Sequence, residues 1–162
     1  MSMKMQRART RTLLAVVLVG SLLTTALAAC GIMPQGTEKT EETPVEYGDV
    51  ANAVMTALPR VVAVEDPGWS RNGFGFRFSL SLETDSAEPL TSDELDAVVE
   101  AIWRSLPTEP NTIELTAGAG DDVVDLRAAA AELEPLGVTD AGQGGVSLTD
   151  MESRYGKWAA PE

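Results

Sequence analysis

Phe74-Gly75-Phe76-Arg77-Phe78-Ser79-Leu80-Ser81-Leu82 alternates large apolar residues with small or charged ones over its whole length. Successive side chains of a strand point to opposite faces. This period of two therefore sets Phe74, Phe76, Phe78, Leu80 and Leu82 on one face and Gly75, Arg77, Ser79 and Ser81 on the other. All three phenylalanines of the chain fall on the first face. That face needs a cover, with Phe76 at its centre, and the second face is left to water. Such a strand belongs to a sheet with one covered side.

Upstream, Val61 to Val64 is a short apolar run between Pro59 and Asp66-Pro67-Gly68, which reads as a buried strand. The polar stretch Asp66 to Gly73 then joins the two strands as a hairpin loop. Before them, Val50, Ala53, Val54, Ala57 and Leu58 mark one face of a helix that stops ahead of Pro59. Downstream, Thr91-Ser92-Asp93-Glu94 has the form of a capping box, with acids suited to a helix N-terminus. Leu95, Val98, Val99, Ile102, Trp103 and Leu106 continue it as an apolar stripe ended by Pro107. Ile113, Leu115 and Ala117 alternate with polar residues as a further strand. Asp121-Asp122 is expected to cap a helix from Val123 to Leu133, closed by Pro135 and Gly137. After the Gly142–Gly145 turn, Val146-Ser147-Leu148 reads as a weak strand and Asp150 to Tyr155 as one helical turn.

Separate strands and helices in this order predict an α+β fold, a small two-layer sandwich. Its three- to four-stranded sheet is antiparallel or mixed, with helices on one face. The first two strands form a hairpin, and the helix after them returns the chain parallel to the second. Pairing of the third strand with the free side of the first would give the split βαβ arrangement of ferredoxin-like folds. The globular domain is placed at 47–155 and a C-terminal tail at 156–162.

Charge is distributed unevenly. The chain of 162 residues carries a formal charge of -13 and has no histidine and one cysteine. Lys4, Arg7, Arg9 and Arg11 lie in an acid-free stretch 1–29, so the part from Cys30 on holds 8 basic and 25 acidic residues and a charge of -17. That acidity argues against nucleic acid, whose phosphates need clustered Lys and Arg. The lack of histidine removes imidazole catalysis, the common triads and most zinc sites. A single cysteine forms no internal disulfide.

The basic start is followed by an apolar run from Leu13 to Leu23 and then by small residues, the plan of a secretory signal peptide over 1–29. The run is short for a membrane span, which takes about 20 residues. Leu27-Ala28-Ala29-Cys30 resembles the lipobox of bacterial lipoproteins. The resemblance covers residues 1–30 alone. It implies cleavage between Ala29 and Cys30, a diacylglycerol on the Cys30 thiol, and a location on the outer face of the cell membrane. Residues 30–46 are polar, acidic and interrupted by Pro34 and Pro44, and read as a lipidated N-terminus with a flexible tether.

Within the domain, several features invite a functional reading. Thr116 to Val123 lies at a strand-to-helix junction but lacks the third glycine and the Gly-Lys-Ser/Thr ending of phosphate loops, so it reads as a turn. Asp121, Asp122 and Asp125 do not have EF-hand spacing and read as a solvated helix start. Glu65, Asp66, Asp93, Glu94 and Asp96 could supply a carboxylate pair for hydrolysis, a signal with little specificity in so acidic a chain. Trp103 falls on the core stripe. Trp69, next to Arg71, is either an exposed binding anchor or a cover folded over the sheet edge. Trp158, with Arg154, Tyr155 and Lys157, reads as a tail docked on its own domain.

Two functions follow. The first is a lipid-anchored, non-catalytic module outside the membrane, binding an envelope protein, polymer or small ligand through Trp69 and Arg71 or the polar sheet face. The second is a carboxylate-dependent hydrolase acting on an envelope substrate. The first is preferred, with no cofactor and no metal, because a domain this small needs most of its apolar residues for one core.

Overall fold

The computed structural model describes residues 47–162. The expected signal peptide, cleavage between Ala29 and Cys30, lipid at Cys30 and tether to residue 46 fall outside the described residues.

The longest helix forms where its caps and stripe dictate. In α2 (Ser92–Ser105), the Thr91 hydroxyl accepts from the Glu94 amide, and the Glu94 carboxylate accepts from the Thr91 amide at 2.8 Å. Two orphan donors are thus satisfied reciprocally. The stripe Leu95, Val98, Val99, Ile102 and Trp103 is buried. Each such side chain contributes about 1.5–3 kcal/mol by leaving water. Ahead of it in the chain, α1 (Val50–Ala57) buries Val50 and Val54.

The sheet is mixed. β1 (Val61–Asn72) pairs antiparallel with β2 (Gly75–Thr84), and β2 pairs parallel with β3 (Thr112–Ala119) across α2. The short β4 (Asp122–Val123) hangs on the end of β3. After α3 (Arg127–Ala130), β5 (Gly137–Gly142) and β6 (Gly145–Thr149) form a hairpin, with β6 against β3, and α4 (Met151–Tyr155) follows. The order is β1-β2-β3-β6-β5.

Partners across a ladder share a face. Phe78 faces Ile113, Leu80 faces Leu115 and Leu82 faces Ala117; Ile113 and Leu115 in turn face Leu148 and Val146. All of these residues are buried, and with the helix stripes they form one core. Among the described residues, the buried apolar residues of this core lie between Val50 and Tyr155.

The α+β class, the β1–β2 hairpin, the parallel return through α2 and the turn at Gly142–Gly145 agree with the sequence reading. Several details differ. Six strands replace the expected three or four. β3 joins β2 and β6, not the free side of β1, so the strand order is not the ferredoxin-like one. The stretch Asp66–Asn72, read as a loop, continues β1. The ladder shifts register between Glu65 and Gly68, and Asp66 sits there at φ 48°. Such an irregularity lets an edge strand absorb Pro67 and Gly68. The hairpin turn is Gly73-Phe74, with Gly73 at φ 60°. Phe74 is therefore fully exposed and Phe76 is 39% exposed, whereas Phe78 is 0% exposed. The centre of the apolar face is Phe78, because Tyr47 and Trp69 both pack on that ring, whereas of these two Phe76 meets only the edge of Trp69.

The expected helix from Val123 to Leu133 shrinks to α3. Val124 donates to the Ala117 carbonyl and Leu126 to the Gly144 carbonyl, both at 2.9 Å, so the chain stays tied to the sheet as far as Leu126 and the helix starts at Arg127. Asp121 and Asp122 belong to a hairpin turn and β4, not to a helix start.

Candidate functional site

The face of the sheet turned away from the helices is built by the polar half of the same alternation. Ser79 and Ser81 of β2 stand beside Glu114 and Thr116 of β3, and Glu114 stands beside Ser147 of β6. On the other side, Ser70 of β1 faces Arg77, Gly68 faces Ser79 and Glu65 faces Ser81. Arg77, Ser79, Ser81, Glu114, Thr116 and Ser147 are half-buried by one another, and no helix among the described residues packs over them.

These side chains are already connected. Thr116 donates to the Ser81 hydroxyl at 3.1 Å, Ser147 donates to Oε2 of Glu114 at 3.0 Å, and Arg77 approaches the same oxygen at 3.1 Å. A shallow depression of about 240 Å³ lies among Asp66, Ser79, Leu80, Ser81, Glu114 and Thr116. Gly68, opposite Ser79, adds no side chain to fill it. The hydroxyls can both donate and accept, and Arg77 and Glu114 add one charge of each sign. This chemistry suits a polar chain laid across the sheet. Glu114 is shared between a hydroxyl and a guanidinium, an arrangement that holds neighbouring strands together.

No protein-family model, no curated protein and no solved structure matches this chain.

The residues singled out from the sequence fall in three places. Trp69 is half-buried on the core face of β1, 4.9 Å from the Phe78 ring and edge-on to Phe76 at 6.4 Å. There it covers the end of the sheet. Arg71 faces Phe76 across the ladder, with its guanidinium 5.3 Å from that ring. At the opposite end of the sheet, Arg127 binds Asp125 at 2.6 Å and Asp140 at 3.2 Å. Its hydrogen bonds hold the Asp125 carboxyl down at about 2; the Gly142 amide, then Arg127, lower that of Asp140. Asp121 and Asp122 do not join this cluster.

The carboxylates proposed for hydrolysis are dispersed. Glu94 is spent on the capping box, with its pKa lowered first by the Thr91 amide. Asp96 binds Arg154 through both oxygens, at 2.6 and 2.8 Å, and accepts from the Tyr155 hydroxyl at 2.6 Å. The Arg154 hydrogen bonds, then that of Tyr155, push its pKa down, while burial and the Asp96 carboxylate push the Tyr155 phenol up. Arg104 donates to the Tyr155 carbonyl and Arg154 to the Glu134 carbonyl, so this group fastens α4 to α2. Trp103 donates to the Gly156 carbonyl at 3.2 Å and Trp158 packs on the core, so the tail is docked on its own domain. Of the five acids, Asp66 alone lines the depression, beside Glu114.

The sequence reading named the polar sheet face but not its members on β3 and β6. Their alternation was visible, but only the strand order brings β2, β3 and β6 side by side.

Proposed function

We propose that the protein is a lipid-anchored lipoprotein of the outer face of the cell membrane, acting as a non-catalytic binding module through the uncovered polar face of its sheet. The observation that carries this reading is the one-sided sheet. From Phe78 to Leu82 the apolar alternation is buried on the helix side, and a connected array of hydroxyls with Arg77 and Glu114 is presented on the other. The lipobox at Leu27–Cys30 supports the anchor, and the acidity of the chain supports a partner other than nucleic acid. A wall polymer or an extended polypeptide offers the hydroxyl and amide groups that such a face can satisfy.

A photo-reactive side chain placed at Ser81, on the polar face, and at Glu100, exposed on α2, tests this in intact cells. The reading expects a discrete adduct from position 81 and none from position 100. Equal capture at both positions, or none at 81, contradicts it.

The hydrolase reading draws on one feature, the pairing of Asp66 with Glu114 around the depression. Turnover of glycosides, esters or peptides that vanishes in Glu114→Gln or Asp66→Asn, with folding intact, would establish it in place of the binder.

A further inference from the structure

We propose that the tip of the β1–β2 hairpin, formed by Arg71, Phe74 and Phe76, rests in the headgroup layer of an anionic bilayer and sets the orientation of the domain. The inference rests on the anchored reading above and adds a second contact to it.

Four observations converge on the tip. Phe74 stands fully exposed at the apex, and Phe76 behind it is 39% exposed, so two large rings do no work in the core. Exposed Phe side chains gain by leaving water at the headgroup–acyl boundary, where shallowly inserted surfaces carry Trp, Phe and Leu. The second observation is Arg71. Of the six arginines among the described residues, Arg60, Arg77, Arg104, Arg127 and Arg154 each lie within 4.0 Å of a carboxylate, and Arg71 does not. Its guanidinium lies against Phe76 instead, next to the exposed rings. A cation that pairs with no carboxylate among the described residues complements an anionic lipid phosphate.

The third observation is local charge. Pro67 to Leu82 holds Arg71 and Arg77 and no acid, although the chain from Cys30 on carries -17. Arg77 is paired with Glu114, so Arg71 is the charge this hairpin offers to an anionic leaflet, which the acidic surface elsewhere repels.

The fourth is where the tether enters. Gly48 lies so close to the Ser105 carbonyl that a Cβ there would come within 2.7 Å of it, and the Tyr47 ring is 6.1 Å from that of Phe78. Ser105 ends α2, and Asn111 donates to the Asn72 carbonyl beside the hairpin turn. Phe78 is three residues inside β2, about 10 Å from its start at Gly75. The folded unit therefore begins at the end of the sheet that carries the hairpin tip. The residues 31–46 that separate Cys30 from this point span at most about 55 Å when fully extended. A lipid on Cys30 would hold this end nearer its point of attachment than the Gly142–Gly145 end.

The test uses the chain from Gly31 on, held to nickel-chelating vesicles of phosphatidylcholine and phosphatidylglycerol by an N-terminal hexahistidine that stands in for the lipid. Phe74→Trp and, at the opposite end of the sheet, Ala141→Trp are compared in vesicles with brominated acyl chains. The proposal expects the bromines to quench the new tryptophan at 74 at least about twofold more than that at 141, as for rings at headgroup depth. It also expects the difference to shrink with Arg71→Gln and in pure phosphatidylcholine. Equal quenching at both positions, or a difference indifferent to both Arg71 and the anionic lipid, overturns it. Emission changes that follow protein density and not bromine content would put a second copy on the tip and overturn it equally. Because hexahistidine supplies the anchor, an unlipidated Cys30 would show in the mass of the native chain and leave this result unaffected.

Discussion

Truncating Phe78 to Ala is expected to be among the most damaging single changes in the sheet, and the same truncation at Phe76 among the milder ones. Phe78 is 0% exposed and touches the rings of Tyr47 and Trp69 at 6.1 and 4.9 Å. Removing a fully buried Phe costs about 3–5 kcal/mol, the transfer of the ring plus the cavity it leaves. A domain of this size holds about 5–15 kcal/mol in total. With a urea dependence of about 2 kcal/mol per molar, the midpoint should fall by about 1.5–2.5 M. Phe76 is 39% exposed and keeps an edge contact with Trp69 and the Arg71 guanidinium, so its truncation should cost about 1 kcal/mol and shift the midpoint by about half a molar. Urea melts of the chain from Gly31 on, followed by far-ultraviolet circular dichroism, give both numbers. Equal losses, or a larger loss at Phe76, would show that the cover of the sheet does not end at Phe78.

The remaining expectations concern caps, the α2–α4 fastening and close packing. Thr91→Ala should lower stability by about 1 kcal/mol, because it leaves the Glu94 amide without its acceptor; a thermal melt checks this. The Asp96 pKa is lowered by folding, so its stabilisation is present above the ordinary aspartate value of about 3.9 and is lost as pH falls through the lower folded value. The Tyr155 pKa is raised, so its stabilisation is full below about pH 10 and declines above it. Stability measured against pH should therefore fall at both ends, with the acid limb flattened in Asp96→Asn and the alkaline limb in Tyr155→Phe; unchanged limbs would exclude this group as their source. Gly145→Ala should destabilise the β3–β6 pairing, since a Cβ there would lie 2.6 Å from the Leu115 carbonyl, and hydrogen exchange at Leu115 and Val146 should accelerate.

Elements fixed by their own residues were legible in the sequence. The capping box and apolar stripe of α2 and the period of two in β2 are local signals, and both appear at the expected residues. Where a neighbour decides, the sequence misled. Pro67 and Gly68 have the chemistry of a turn, yet on an edge strand their missing donor and flexibility are absorbed by a register shift. Gly137 to Gly142 shows no alternation because β5 is an exposed edge whose one strand neighbour is β6. Ala128 to Ala131 favour a helix, but the bonds of Val124 and Leu126 to the sheet delay it. The polar members of the candidate site were visible singly. Their assembly into one face depends on β3 inserting between β2 and β6, a long-range choice that no local pattern records.

Intact mass spectrometry of the chain extracted from the membranes of its own cell tests the central claim, a domain delivered outside and held by lipid, most directly. The account predicts a mature chain that begins at Cys30 and carries a diacylglyceryl group on the thiol. A mature chain that begins elsewhere, or that starts at Cys30 with the thiol unmodified, would contradict it.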